Sequence, residues 1–109
     1  MTDVRITRKD NHIVEVFASG HTGYGERGED IVCAGISTLI QSALLGLLQV
    51  AQINVKYSVN EAKGELRFTL PDGLTADERH DADVILNTML CGLNDFYTEY
   101  SDYINLEVI

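Results

Sequence analysis

Tryptophan is absent from this 109-residue sequence, proline occurs once and cysteine twice. The two cysteines, Cys33 and Cys91, are far apart in the chain and cannot make the dense disulfide framework of a small secreted domain. No signal-peptide pattern precedes the first strand-like residues. We therefore expect a cytoplasmic protein with both thiols reduced, forming a single domain.

Basic residues are also scarce. Eight Lys and Arg stand against 17 Asp and Glu, so the net charge is −9. Such a charge disfavours direct binding to nucleic acid, because the phosphates would be repelled. It suits a basic protein or peptide as partner, although acidic residues serve more commonly as a solvated surface that maintains solubility.

The pattern of ligand-type residues predicts neither a metal nor a cofactor. The histidines and cysteines show no C-x-x-C or H-x-x-x-H spacing. A G-x-G-x-x-G run from Gly23 to Gly28 is a weak match to a dinucleotide site, since Glu26, Glu29 and Asp30 would face the pyrophosphate. The apolar run 31–53 is interrupted by Ser, Thr and Gln, which favours a core helix over a membrane span.

Hydrophobic periodicity predicts seven elements in the order β-β-α-β-β-α-β. Residues 4–19 alternate as a hairpin, with Val14, Val16 and Ala18 on one face and Ile13, Glu15 and Phe17 on the other. A helix from Ile31 to about Ile53 follows, and then a second hairpin over 55–70, a helix beginning near Thr75 or Ala76, and a strand over 103–109. We expect an α+β two-layer sandwich, with two helices on a mixed or mostly antiparallel sheet.

A glycine-rich segment between the first hairpin and the first helix is the predicted functional region. It begins with His21 beside Gly20 and ends at Cys33, and it holds four of the nine glycines. Because glycine accepts dihedral angles that other residues avoid, we expect a mobile loop in which glycines act as hinges: Gly20, Gly23, Gly25 and Gly28.

Cys33 is the candidate nucleophile. We place it in the first turn of the apolar helix, where free N–H groups and the helix dipole favour a thiolate. His21 would accept its proton. Asp30 is interpreted as the helix N-cap or as a carboxylate that orients His21. Ser37, one turn further along, would contact substrate or an oxyanion. The alternatives are a cysteine that packs as a small hydrophobe and a serine bonded to its own helix.

The same residues carry a resemblance to a family. Gly20-His21-Thr22-Gly23-Tyr24-Gly25, followed by Gly28-Glu29-Asp30-Ile31-Val32-Cys33-Ala34-Gly35-Ile36-Ser37, closely resembles the signature of the bacterial ribosomal-processing cysteine proteases, the Prp or YsxB-like family. The resemblance extends over essentially the whole chain. It implies a homodimeric endopeptidase that removes a short N-terminal extension from a large-subunit ribosomal protein.

The resemblance also implies roles for individual residues. His21 and Cys33 match the catalytic pair, and Asp30 and Ser37 match positions associated with the site. The glycine loop would move to admit the peptide. The competing hypothesis is a non-catalytic module for ribosome assembly or peptide binding, in which the loop only clamps a partner.

Overall fold

A computed structural model describes residues 1–20 and 27–109, with the side chains of 27–30 excluded. Within these ranges the elements, listed in chain order, are β1 (Thr2–Lys9), β2 (His12–Ser19), α1 (Arg27–Leu45), β3 (Lys56–Asn60), β4 (Glu65–Thr69), α2 (Ala76–Glu99) and β5 (Ile104–Val108). One π-helical turn, Gly46–Val50, extends α1. The predicted element order is confirmed.

The five strands form one mixed sheet in the order β3-β4-β2-β1-β5. Both hairpins are antiparallel, and β2 pairs antiparallel with β4. The last strand returns to lie parallel to the first, with Thr2 opposite Ile104 and Ile6 opposite Val108. The predicted α+β class with two helices on a mixed sheet is therefore confirmed.

Both helices pack on one face of the sheet, called here the helix-covered face. Strand β1 alternates strictly between buried and exposed residues from Thr2 to Ile6, as expected when only one face is covered. Side chains from α1, including Ile36, Ile40 and Leu47, are completely buried against it. Each such burial contributes about 1.5–3 kcal/mol. This layer of contacts fixes the position of α1 over the sheet.

The opposite face of the sheet is polar. Arg67 pairs with Glu15 at 3.0 Å and lies over the ring of Phe17, 4.6 Å from its centroid. Arg5 pairs with Glu107 on the neighbouring β5. Cross-strand pairs of this kind stabilise a solvent-facing surface.

One predicted facing in β2 is wrong. Ile13 was expected on the face of Glu15, but it is buried in the core together with Val16. The reason is a register shift between Thr7 and Arg8, where the pairing moves from Glu15 to Ile13. The extra residue, Val14, forms a bulge, and a bulge reverses the face of every residue beyond it.

The predicted bounds of α1 are wrong at both ends. The helix begins at Arg27, so Asp30 lies within its first turn and is not the N-cap. Cys33 is consequently in the second turn. The helical segment ends at Val50, after which Ala51 N–H bonds to Gly46 O at 2.9 Å and Gln52 takes a positive φ of 55°. A non-glycine residue in that conformation ends a helix.

The start of α2 is confirmed. Thr75 is the N-cap, and its hydroxyl and the carboxylate of Glu78 form a reciprocal capping box. A 2.8 Å contact between His12 Nδ1 and Asp83 Oδ2 links α2 to the first hairpin. Cys91, which its apolar neighbours Leu90 and Leu93 predict to be a buried packing residue, is instead exposed. It lies on the outer face of α2, next to the buried Leu90.

Residues Ile31–Val50 are long and apolar enough to cross a membrane by length and composition alone. The sequence pattern predicts a core helix for this segment. In the structure one side of it packs in the core through Val32, Ile36, Ile40, Ala43, Leu44 and Leu47. Its other side carries exposed residues, among them Ile31 and Val50.

The two helices approach closely at two glycines, which have no side chain to separate them. A Cβ added at Gly35 would lie 2.7 Å from Cζ of Phe96, and one added at Gly92 would lie 2.6 Å from Cδ2 of Leu39. Both distances are too short for real atoms. These glycines therefore set the spacing between α1 and α2, despite the cost of glycine inside a helix.

We expect Gly35→Ala to lower the free energy of unfolding by about 1–3 kcal/mol, because the rigid ring of Phe96 must move. Gly46→Ala is the matched control, since its nearest neighbours would be atoms of Ile85 at 3.6 Å and beyond. Urea unfolding of both variants measures the difference. A Gly35→Ala protein as stable as the Gly46→Ala protein would contradict the packing constraint.

Candidate active site

Cys33 projects from the second turn of α1 toward the ends of β1 and β2. Its side chain is partly exposed. On the next turn of the helix, Ile36 and Ile40 are completely buried and hold this stretch against the sheet. The thiol is thus carried by a rigid element at the border between the core and solvent, which suits a nucleophile that must be both fixed and accessible.

A threonine hydroxyl contacts the sulfur. Thr2 Oγ1 donates a hydrogen bond to Cys33 Sγ at 2.8 Å, and Thr2 is only 7% exposed. Thr2 is not among the site residues predicted from the sequence. The available signal was its place two residues before Val4 and four before Ile6, which puts a hydroxyl on the apolar face of a strand.

A groove of about 520 Å³ begins at Cys33 and runs between α1 and the β3–β4 hairpin. Its floor and walls are largely apolar. The residues that line it are Thr2, Ala18, Ser19, Gly20, Cys33, Ile36, Ser37, Ile40, Gln41, Leu44, Leu45, Tyr57, Val59, Asn60, Glu61, Gly64, Glu65 and Leu66. Tyr57 and Val59 are more than half exposed, so the helices leave this end of the sheet uncovered.

Ser37 lines the groove one turn after Cys33, so the predicted common face is observed. Its hydroxyl accepts a 2.7 Å hydrogen bond from Gln41 Nε2 rather than bonding to its own helix backbone. The neighbouring Thr38 does bond back, to Ala34 O at 2.9 Å. Ser37 and Gln41 together form a polar strip along an otherwise apolar wall, available to a peptide backbone.

The predicted glycine positions fall in different environments. Gly20 follows β2 directly, and its N–H donates to Gly64 O at 3.1 Å. A Cβ there would lie 3.0 Å from Thr2 Oγ1, so a close approach explains the glycine. Gly28 lies in the first turn of α1. His21, Gly23 and Gly25 lie outside the described residues, and their predicted roles stay predictions.

Cys33 lies further from the N-terminal end of α1, and from the positive end of the helix dipole, than the sequence predicts. The helix dipole acts mainly over the first turn, and the free N–H groups belong to the first four residues. Cys33 is the seventh residue of α1, so its own N–H is internal to the helix. The predicted contact of Cys33 with the free N–H groups of the first turn is therefore wrong, and among the described residues Thr2 Oγ1 is the group that contacts its sulfur.

Comparison with known proteins identifies the chain. The sequence model of the family described as "Cysteine protease Prp" matches residues 1–105. The chain belongs to the Prp family of cysteine proteases. A ribosomal processing cysteine protease Prp of Staphylococcus aureus (strain Mu50 / ATCC 700699) is 33% identical over 111 aligned positions, which cover 97% of each chain.

Solved structures agree with this assignment. The S. aureus Prp protease in complex with a substrate peptide superposes with a TM-score of 0.88 at 27% identity, over the whole of both chains. The same protease with a covalently linked product peptide gives a TM-score of 0.84 at 28% identity, again over both whole chains. A covalently linked product is the expected trace of nucleophilic catalysis.

The chain is accordingly a cysteine protease of the Prp family, and the alternative of a non-catalytic module is not supported. The family is one that its relatives' names associate with ribosomal processing. Within the described residues, the partly exposed Cys33 in the groove and the exposed Cys91 on α2 are the two thiols. Cys33 alone lines the groove.

Proposed function

We propose that this protease is a cytoplasmic endopeptidase that removes the N-terminal extension of a large-subunit ribosomal protein precursor during ribosome assembly. Cys33 is the nucleophile in this proposal, and His21 is the general base. The observation that carries the proposal is the position of Cys33 Sγ on the wall of an apolar groove that is open to solvent.

The groove has the dimensions of an extended peptide. Its helical wall reaches from Cys33 to Leu45, twelve positions along α1, which is about 18 Å at the helical rise. An extended chain advances about 3.3 Å per residue, so about five residues fit beside the helix. Apolar side chains would point toward Leu44, Tyr57 and Leu66. A groove of this length supports endopeptidase cleavage, in which the scissile bond lies beside Cys33 and the rest of the bound segment extends along the groove.

The charge of the groove supports a basic substrate. Glu61 lines the groove near the β3–β4 turn, and the chain as a whole carries a net charge of −9. Among the described residues that line the groove there is no lysine or arginine. Ribosomal proteins are basic because they bind RNA, so their processed ends meet a complementary surface.

The proposed reaction begins when His21 takes the thiol proton of Cys33. The sulfur attacks the scissile carbonyl carbon, a C–S bond forms, and the carbonyl π electrons move to oxygen. The tetrahedral intermediate collapses, the C–N bond breaks, and the proton on His21 goes to the departing amine. Water then attacks the thioester, giving one proton through His21 to the sulfur as the C–S bond breaks. The products are the released extension and the mature protein.

The remaining predicted residues have supporting roles in this proposal. Ser37, paired with Gln41, would bind the peptide backbone or the oxyanion. Asp30 would orient His21, since capping is excluded by the helix start at Arg27. Gly23 and Gly25 would act as hinges that admit the peptide, with Gly20 and Gly28 at the two ends of that segment.

A homodimer is part of the proposal, formed through the outer face of α1. Residues 31–50 contain no charged residue, although the chain carries −9. Two copies of so acidic a protein repel each other unless they meet through an uncharged surface. The outer face of α1 offers one: Ile31 is 69% exposed and Thr38, two turns further along the same face, is exposed as well, while the half-exposed Leu45 lies at the border between this face and the groove.

The first prediction concerns cleavage. A precursor peptide that spans the extension is expected to be cut once by the wild-type protein and not at all by Cys33→Ala, because the C–S bond cannot form. Mass spectrometry of the products locates the bond. Cys91→Ala, the matched control, is expected to cleave normally because Cys91 lies outside the groove. Cleavage by Cys33→Ala, or its loss in Cys91→Ala alone, would contradict the assignment.

The second prediction concerns charge recognition. Glu61→Gln is expected to raise KM by up to about fivefold for a lysine-containing peptide, with kcat unchanged, since an exposed charge pair contributes about 0.2–1 kcal/mol. Glu99→Gln on α2 serves as the control for net charge, because Glu99 does not line the groove. If KM changes equally for a peptide whose lysines are replaced by glutamine, the Glu61 carboxylate does not recognise the charge of the peptide.

The third prediction concerns the dimer. Thr38→Lys places a charge in the middle of the uncharged face and is expected to convert dimer to monomer in sedimentation velocity runs over a concentration series. Thr88→Lys is the matched control: Thr88 is exposed on α2 and, like Thr38, bonds back to its own helix. A dimer that persists in Thr38→Lys, or that is lost equally in Thr88→Lys, would place the interface elsewhere.

A further inference from the structure

The hydroxyl of Thr2 occupies a position that is otherwise apolar. Thr2, Val4 and Ile6 follow one another on the helix-covered face of β1, and all three are buried. A hydroxyl taken into a protein interior is destabilising unless it finds a hydrogen-bond partner. Among the described residues that partner is Cys33 Sγ, at 2.8 Å.

Thr2 is held firmly on both sides. Its backbone N–H donates to Tyr103 O at 3.0 Å, and it pairs with Ile104 at the start of β5. Gly20 packs so closely that a Cβ there would lie 3.0 Å from Oγ1 and 3.2 Å from Cγ2. A β-branched side chain has few χ1 choices to begin with. The hydroxyl is therefore fixed before substrate arrives.

The strength of the hydrogen bond from Thr2 depends on the charge of the sulfur. A neutral thiol is a weak hydrogen-bond acceptor, whereas hydrogen bonds to a charged acceptor are shorter and about twice as strong. The bond from Thr2 is consequently stronger when the sulfur is the nucleophilic thiolate than when it is a thiol or a thioester. It also selects one orientation of Sγ at the mouth of the groove.

We propose that Thr2 is a positioning residue for catalysis, whose hydroxyl holds Cys33 Sγ in the attacking orientation and stabilises it as a thiolate. This inference rests on the proposed role of Cys33 as nucleophile. Thr2 acts through the sulfur, so its contribution is to the rate of the chemical step rather than to peptide binding.

Core packing alone would not require the hydroxyl. Valine has nearly the shape of threonine, favours strands as well, and leaves no polar atom to satisfy. The substitution Thr2→Val thus removes the hydrogen bond while keeping volume and branching. Thr2→Ser keeps the hydroxyl and removes the methyl group. The two variants separate the two functions of the side chain.

In the test, Thr2→Val is expected to lower kcat about ten- to hundredfold with KM unchanged, the range for loss of one hydrogen bond to a charged group. Thr2→Ser is expected to restore kcat to within about threefold. Iodoacetamide labelling at neutral pH, followed by mass spectrometry, should show slower modification of Cys33 in Thr2→Val. Cys91 is the internal reference, and Thr88→Val, which removes an exposed hydroxyl bonded to its own helix, is the control variant.

Each outcome decides the question. Wild-type kcat and Cys33 labelling in Thr2→Val would overturn the inference, and so would a change in KM alone, which would make Thr2 a peptide contact. If Thr2→Val does not fold, Thr2→Ala and Thr2→Ser are compared instead, and equal rates in that pair would overturn the inference. Cleavage retained in Cys33→Ala would instead refute the proposed nucleophile. Labelling needs no substrate, so it tests Thr2 even if the proposed precursor is not cleaved.

Discussion

Burial of one side of α1 against the helix-covered face of the sheet is the constraint on which the rest of this structure depends. Ile36, Ile40 and Leu47 enter the core completely, and Gly35 permits α2 to pack alongside. Because the helix cannot rotate or slide without exposing these side chains, the residues on its groove side are fixed as well. Cys33 and Ser37 owe their common orientation to this packing.

The same constraint creates the groove. In the part of the chain that the structure describes, five strands carry two helices, and the β3 edge of the sheet extends beyond their cover. Tyr57 and Val59 remain exposed there, facing the uncharged wall of α1. An uncovered apolar end of a sheet next to a fixed thiol is suited to hold an extended peptide. In the Prp family, to which the chain belongs, the S. aureus protease has been solved in complex with a substrate peptide.

Acidic residues and the uncharged residues of α1 occupy different parts of the surface. Carboxylates are spread over the strands, turns and α2, whereas residues 31–50 have none. A protein with a net charge of −9 attracts basic chains and repels its own copies, except where the surface is neutral. In the proposed function, one composition serves both recognition of a basic substrate and self-association. Glu61 brings that charge to the groove itself.

Local patterns in the sequence determined the element order, the two hairpins, the start of α2 and the α+β class, because strand alternation, helical stripes and a Thr75–Glu78 capping box are read from neighbouring residues. The sequence also singled out Cys33 and Ser37. The first turn of α1 was misplaced because no residue pattern separates a glycine-rich loop from a helix start, and the bulge at Val14 carries no local signal. Only the tertiary structure decided that β5 returns beside β1 and that α1 packs on the sheet with Cys33 against Thr2. Contacts between residues so distant in the chain arise from packing, which no single segment encodes.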